Sequence, residues 1–285
     1  GSVDFTGREL AAKLSEYWGQ QVVLDNRGGA GSTLGHNLGA KAAPDGYTLL
    51  LGTSAGLVVS PALGTKVPYD SQKDYASIGL VVYAPFALTV FAGVPVNTTQ
   101  EFIDYARANP GKINFSSPGT GTPNHLGGEL LKALAKINIV HVPYKGGGPA
   151  LVDLISGQVQ MTFSGVPQIL PHWKAGRVKL LAIGHPTRIK SLPEIPPVAD
   201  VLPGFNNTSW YGLLAPRGTP VAIVNRINAS INHVLAQPEF GQKLILQGVE
   251  PVTSTPQGMQ DMIRNEYARW RKVIQEAGIT VDSAQ

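Results

Sequence analysis

Apolar residues occur along this chain in two alternating patterns, one with helical spacing and one as short continuous runs. Leu10, Leu14, Tyr17 and Trp18 share one face of a predicted helix, and QVVLDN at 21–26 follows as a predicted strand. The same order recurs in STLGHNLGAKA and PDGYTLLLG, TQEFIDYARANPG and KINFSS, PNHLGGELLKALAK and NIVHVPY, GPALVDLISGQ and VQMTFS, and VPQILPHWKAG and RVKLLAIG. Such alternation predicts an α/β fold of mostly parallel sheets covered by helices.

Two stretches interrupt this alternation. Near residues 76–93, IGLVVYAPFALTVFAG contains two apolar runs with no helix between them, and near 208–214 TSWYGLLA is a further strand followed by the turn-rich PRGTP. We interpret both as crossings between two lobes. The predicted first lobe comprises residues 1–97 and 215–285, including three late helices, and the predicted second lobe comprises residues 98–214.

Composition narrows the class of protein. The chain has 285 residues, 43% of them hydrophobic and 15% charged, which is typical of a folded protein of one large or two medium domains. The net charge of +4 is spread without a basic stripe, so no nucleic-acid partner is expected. The absence of cysteine excludes disulfides and thiolate chemistry. Neither a signal peptide nor a membrane-spanning run is found, and because GSVDF leads almost directly into a helix, we expect upstream sequence to be missing.

One loop, SSPGTGTPNH at 116–125, concentrates hydroxyl groups and bare backbone amides before a predicted helix. Thr122 is placed to cap that helix, and Pro123 takes its first position. Backbone N–H groups at a helix start attract anions, so the loop predicts a carboxylate-sized cradle of neutral donors. Its candidate residues are Ser117, Gly119, Thr120, Gly121 and Thr122. The alternative is a well-capped turn without a ligand.

Comparable loops follow other predicted strands. These are GTSAG at 52–56, YKGGGPA at 144–150 and FSGVP at 163–167. In open α/β sheets, ligands bind outside the carboxyl ends of the strands. If the two lobes face each other, several of these loops meet across one cleft, which suits a small carboxylate.

Enzyme and metal signatures are weak. His125 and Glu129 lie four residues apart and could share a metal ion, but no third ligand is evident, so a capping or surface role is favoured. No nucleophile elbow and no nucleotide-binding glycine motif has the required spacing. The other histidines lack a paired acid and are expected to be satisfied or solvated. We therefore predict a non-enzymatic protein without cofactor or metal.

Four long segments carry a resemblance to a known family. They are NRGGAGSTLGHNLGAKAAPDGYTLLLGT, HVPYKGGGPALVDLISGQVQMTF, LPHWKAGRVKLLAI and TSWYGLLAPRGTP, in that order. Together they resemble the Bug or TctC family, the solute-binding proteins of tripartite tricarboxylate transporters. The resemblance implies a monomeric, two-lobed periplasmic binding protein of type II that closes on a small carboxylate and delivers it to membrane permease subunits. A ligand-presenting component of a carboxylate-sensing system is the alternative, and an enzyme using His125 and Glu129 is a further one.

The resemblance also implies which residues hold the ligand. The matching positions are Ser2 and Val3 in the first loop, Thr53 and Ser54 in the next, Ser117, Gly119, Thr120, Gly121, Thr122 and His125 in the SSPGTGTPNH loop, Lys145 and Gly146 in VPYKG, and Ser164 in TFSG.

Three departures from the family pattern affect the prediction. Members usually begin with a strand and a glycine-rich loop ahead of the segment matching GSVD, and this strand is absent here. Many relatives carry an aspartate where this chain has Ser164 and Gly165, and a neutral position cannot pair with an ammonium group. GTSAGLVVSPAL is more apolar than in many members. The last two departures favour a dicarboxylate or an aromatic acid over an amino acid.

Overall fold

The computed structural model describes residues 2–27, 32–276 and 278–279. In chain order, the regular elements of these ranges are α1 (Ser2–Trp18), α2 (Thr33–Lys41), β1 (Leu50–Thr53), a π-helix (Ala55–Val59), α3 (Ser60–Ala62), β2 (Tyr75–Phe91), α4 (Thr99–Ala108), β3 (Asn114–Ser117), α5 (Pro123–Ala135), β4 (Val140–Pro143), α6 (Gly147–Ser156), β5 (Met161–Gly165), α7 (Val166–Lys174), β6 (Val178–Ile183), a 3₁₀ helix (Val198–Asp200), β7 (Thr208–Pro216), α8 (Val221–Leu235), α9 (Pro238–Leu246), β8 (Glu250–Pro251) and α10 (Pro256–Glu276). The predicted alternation of helices and strands is confirmed from α2 to β6, as are the three late helices.

The chain forms two compact units. The first unit comprises Gly1–Tyr83 and Ser209–Lys272, and the second comprises Ala84–Thr208 and Val273–Gln285. The first two changes of unit, after Tyr83 and after Thr208, fall earlier in the chain than the lobe boundaries drawn from the sequence, and the third, after Lys272, lies within the segment assigned to the first lobe. The two apolar runs near 76–93 form one continuous strand, β2, rather than two.

One predicted strand is wrong. Residues 21–26, QVVLDN, have no regular secondary structure. Val23 leaves 74% of its surface exposed, and none of the described strands pairs with this segment. An apolar run becomes a strand only where a neighbouring backbone satisfies its N–H and C=O groups, and here that partner is lacking.

The pairings of β1 with β7 and of β8 with β2 in the first unit are antiparallel. β1 runs against β7, with Thr53 opposite Tyr211, and β8 pairs with the first half of β2. The helix α1 packs on α8, where the indole of Trp18 donates a 2.9 Å hydrogen bond to the Ser230 hydroxyl. Leu10 and Leu14, two residues of the apolar face predicted for α1, are buried there.

The second unit contains a mixed sheet, in which β2 runs opposite to the other four strands. Its strands lie in the order β4, β3, β5, β2, β6. β3 is parallel to both β4 and β5, whereas β2 is antiparallel to β5 and β6. The helices α6 and α7 supply Leu154, Val166 and Ile169 to the core. Because β3, β4 and β5 run in the same direction, α5, α6 and α7 all begin at one edge of this sheet.

Candidate functional site

The loop between β3 and α5 directs the Ser117 hydroxyl into the fold. Ser117 is fully buried, and its Oγ accepts a 3.1 Å hydrogen bond from the Gly119 amide. The same oxygen lies 2.7 Å from Nε2 of His141 on β4 and 2.9 Å from the Gly119 carbonyl. The hydroxyl of Ser117 is therefore fully occupied within the protein.

Thr122 caps α5 as predicted. Its Oγ1 accepts from the His125 amide at 3.4 Å and donates to the Gly119 carbonyl at 2.7 Å. Pro123 occupies the first turn, where its missing N–H costs nothing. Gly121 has φ = 79°, a backbone conformation that favours glycine, and its amide donates to Nδ1 of His125 at 3.0 Å. Local hydrogen bonds thus fix the loop on both sides of Thr120.

His125, which is buried, and His141, which is half-buried, form an aromatic stack. Their ring centroids are 3.9 Å apart with planes inclined by 25°, and Phe115 lies nearly parallel to His125 at 6.2 Å. Burial lowers the pKa of His125 to about 3, with His141 and Lys132 adding to the shift. Burial and Lys132 lower the pKa of His141 to about 4. Both imidazoles are therefore neutral at physiological pH.

The predicted pairing of His125 with Glu129 does not amount to a metal site. His125 Nε2 lies 3.7 Å from Glu129 Oε1, but both oxygens of this carboxylate are 2.9 Å from the Lys132 ammonium group. Within residues 2–27, 32–276 and 278–279, no three His, Asp or Glu side chains come together as metal ligands would. Glu129 serves as the counter-ion of Lys132.

Three predicted site residues present unoccupied polar groups. Thr120 and Lys145 are exposed and Ser164 is half-buried. None of their side chains has a hydrogen-bond partner in the part of the chain that the structure describes. The amide of Gly146, by contrast, donates to the Pro118 carbonyl at 3.1 Å. Free hydroxyl and ammonium groups therefore come from three successive strand-to-helix connections.

These connections converge at one edge of the second unit. A side chain built on Gly147, at the start of α6, would lie 3.9 Å from both Pro118 and Gln168 of α7. Helices α6 and α7 begin at Gly146 and Gly165 without a side-chain cap, unlike α5. Uncapped helix starts leave backbone N–H groups that favour an anion.

The described side chains of the site residues predicted in the first unit present no free polar groups, unlike those of Thr120, Lys145 and Ser164. Val3 is on α1 with 36% of its surface exposed, and Ser2 begins that helix, its side chain lying outside the described residues. Thr53 and Ser54 are buried. Thr53 Oγ1 accepts from the Gly56 amide at 3.3 Å, and the hydroxyls of Ser54 and Ser209 are 2.8 Å apart. The polar groups of Thr53 and Ser54 thus bond within their own unit.

The apolar GTSAGLVVSPAL segment packs inward. Leu57, Val58 and Val59, in the π-helix, are at most 2% exposed. From the sequence, the apolar character of this segment favours a ligand with a hydrophobic body, but Leu57, Val58 and Val59 fill the core of the first unit instead.

Two residues of the site were not identified from the sequence. Gln168 lies in the first turn of α7 next to the start of α6, and the only sequence signal was its position after FSGVP. His141 was expected to be satisfied or solvated, and it is satisfied by Ser117. Its role depends on the register between β3 and β4, which places it beside Phe115.

Family comparison identifies the chain. The profile of the tripartite tricarboxylate transporter family receptor, TctC, matches residues 6–279. The chain belongs to the TctC family. It is 40% identical to a UPF0065 protein from the tcbD-tcbE intergenic region of Pseudomonas sp. strain P51, over 97% of this chain and 82% of the relative. It is 35% identical to Protein BugT of Bordetella pertussis, over 98% of this chain and 86% of BugT.

Solved structures agree with this assignment. R. palustris Rpa4515 with adipate superposes with a TM-score of 0.85 at 34% identity, covering 97% of this chain and 93% of that protein. The periplasmic binding protein BugD has a TM-score of 0.81 at 31% identity over 98% and 94% of the two chains. MatC of Rhodopseudomonas palustris with bound malate has a TM-score of 0.79 at 31% identity over 95% and 94%.

These comparisons confirm the resemblance seen in the sequence and the periplasmic-binding-protein fold. The family and its structural neighbours are solute-binding proteins rather than enzymes, in agreement with the non-enzymatic prediction. None of the helices in the described ranges combines the length and apolar character needed to cross a lipid bilayer.

Proposed function

We propose that this protein captures a small carboxylate in the periplasm and that one carboxylate group of the ligand binds where α5, α6 and α7 begin in the second unit. The observation that carries the proposal is the convergence of two uncapped helix starts with the unoccupied groups of Thr120, Lys145 and Ser164. Backbone amides, hydroxyls and one flexible cation together complement a carboxylate in charge and in hydrogen bonding.

The same edge favours a dicarboxylate or an aromatic acid over an amino acid. An α-ammonium group needs an acidic partner, yet Ser164 and Gly165 are neutral. The acids of α5 and α6 are engaged, because Glu129 pairs with Lys132 and Asp153 accepts a 2.6 Å hydrogen bond from the Tyr144 hydroxyl. Adipate and malate, the ligands named for two neighbours, carry carboxylates and no ammonium group.

Membership of the TctC family supports a further part of the proposal, namely that the partners of this protein are the membrane subunits of a transporter. The family is described as the receptor of tripartite tricarboxylate transporters, so the protein would pass its ligand to the membrane subunits of such a transporter. The protein would therefore act in uptake, as a binding component that does not change its ligand chemically.

Isothermal titration calorimetry with adipate, malate, citrate, benzoate and glutamate tests this function. We expect saturable binding of at least one acid that lacks an ammonium group, and no comparable binding of glutamate. A ligand at 100 times its dissociation constant should also add roughly 2.7 kcal/mol to the free energy of unfolding, measurable as a rise in Tm. Tight glutamate binding would contradict the ligand class, and no binding across the panel would contradict the carboxylate function.

A further inference from the structure

The two glycine amides that flank Thr120 both donate inward. The Gly119 amide donates to Ser117 Oγ and the Gly121 amide to His125 Nδ1. Thr120 itself is exposed and forms no hydrogen bond with the described residues. These two hydrogen bonds, one on each side of Thr120, act as tethers and define the direction in which Thr120 projects.

The tether at Gly121 depends on one atom of His125. Nδ1 accepts a hydrogen bond, so it carries no proton, and the proton of the neutral ring resides on Nε2 on the side of Glu129. His125 is only 5% exposed and is covered by His141 and Phe115. A ring packed in this way cannot turn without disturbing the stack, which keeps Nδ1 directed at the loop.

The tether at Gly119 depends on the partner ring. His141 Nε2 contacts Ser117 Oγ at 2.7 Å, and this oxygen accepts from the Gly119 amide. His141 comes from β4, whereas Ser117 and His125 come from β3 and α5. The stack therefore joins three elements behind one loop.

We infer that His125 and His141 are positioning residues, which hold Thr120 and its flanking amides in the conformation that receives the ligand carboxylate without touching the ligand. This inference rests on the proposed function of the same edge. It changes the role expected for His125, from a direct ligand contact to a support that acts through Gly121.

Two substitutions of His125 separate positioning from packing. His125→Phe keeps a flat ring in the stack but removes the acceptor, whereas His125→Asn loses the ring and keeps an acceptor oxygen near the position of Nδ1. Ser117→Ala is a second variant, which leaves both rings in place but removes the acceptor of the Gly119 amide together with the contact to His141 Nε2. Each variant is examined by amide hydrogen exchange at Gly119 and Gly121 without ligand, and by calorimetry with adipate and malate.

We expect His125→Phe to speed exchange at Gly121 at least tenfold and to weaken binding at least tenfold, with His125→Asn restoring both to within about threefold of the wild type. Ser117→Ala should likewise speed amide exchange at Gly119 and weaken binding, each at least tenfold. Unchanged exchange in His125→Phe and Ser117→Ala would overturn the inference, as would faster exchange with unchanged affinity.

The exchange measurement requires no ligand, so it separates two kinds of failure. If the wild type binds none of the five acids of the calorimetry panel while exchange at Gly121 still responds to His125→Phe, the hydrogen bond to Gly121 is real but the carboxylate function and the inference built on it are overturned. If the wild type binds and exchange does not respond, the proposed function stands and the inference alone is wrong.

Discussion

The imidazole rings of His125 and His141 are stacked in the second unit with their centroids 3.9 Å apart. Such a contact is favourable between neutral rings, whereas two imidazolium ions at this distance would repel each other. Lys132 adds a third positive charge to the same surroundings. The stack is thus stable only while both rings stay unprotonated.

The free energy of unfolding should fall on mild acidification. Burial first, then nearby positive groups, lowers the pKa of His125 to about 3 and of His141 to about 4, from an ordinary value of 6.5. Between pH 6.5 and the lowered pKa values, the two histidines bind protons in the unfolded chain but not in the folded one. Their contribution to the free energy of unfolding is therefore complete above pH 6.5 and is lost as the pH falls towards 3. Urea unfolding at pH 7.5, 6.5, 5.5 and 4.5 measures the slope. The double variant His125→Asn, His141→Gln should show a flatter profile, and an identical profile would refute the prediction.

Thr120→Val should weaken carboxylate binding. The substitution keeps size and shape but removes a hydroxyl donor that has no partner within the described protein, so a loss of about 1 to 3 kcal/mol is expected if it meets a charged oxygen. Thr253→Val is the matched control, since Thr253 is also exposed but belongs to the first unit. Equal affinities for wild type and Thr120→Val, measured by calorimetry, would place the carboxylate elsewhere.

Lys145→Gln should slow ligand association in a salt-dependent way. An exposed ammonium group attracts an anion but is screened by salt, and exposed ion pairs contribute about 0.2 to 1 kcal/mol, so affinity should fall by up to about fivefold. Lys112→Gln is the control, because exposed Lys112 precedes β3 and therefore lies at the opposite edge of the sheet. Stopped-flow measurements at 20 and 300 mM salt should show the difference at low salt. The same loss in both variants would indicate only an effect of net charge.

Ser164→Asp should impair binding of dicarboxylates. A carboxylate introduced about 4 Å from the ligand would repel it by roughly 1 to 4 kcal/mol, depending on the local dielectric. Ser164→Asn, similar in size and uncharged, should retain most of the affinity. If the aspartate and asparagine variants bind malate equally well by calorimetry, Ser164 does not face the ligand.

Gly128→Ala should destabilise the second unit. A methyl group on Gly128 would overlap the ring of Phe115, which supports the histidine stack, and overpacking of this kind costs about 1 to 3 kcal/mol. Gly148 in α6 has no atom near its missing side chain, so Gly148→Ala should be neutral or slightly stabilising. Differential scanning calorimetry should show a lower Tm for Gly128→Ala alone. Similar Tm values for the two variants would contradict the packing described here.

The start of α5 could be predicted from the sequence because its determinants are local. Thr122 and Pro123 suit the first turn of a helix wherever it occurs. The direction of the Ser117 and His125 side chains could not be predicted in the same way. It depends on His141, which is brought beside Phe115 by parallel pairing of β3 with β4. Hydroxyl-rich composition indicated a donor loop, but only tertiary contacts show which donors are already used.

The predicted strand at 21–26 failed for a related physical reason. Its apolar composition was suitable, but a strand needs a neighbouring backbone, and composition says nothing about that neighbour. The apolar GTSAGLVVSPAL segment shows the same limit, because hydrophobic character alone does not distinguish the wall of a ligand site from a core. Leu57 and Val58 belong to the core.

The division of the chain also sets an order for folding during synthesis. Most of the second unit is one uninterrupted stretch, Ala84–Thr208, so its sheet can be completed once that stretch has left the ribosome. The first unit must wait, because β1 pairs with β7 and α1 packs against α8, both encoded later. A nascent chain arrested shortly after Thr208 would therefore carry the protease-resistant sheet of the second unit before the N-terminal segment has found its partners.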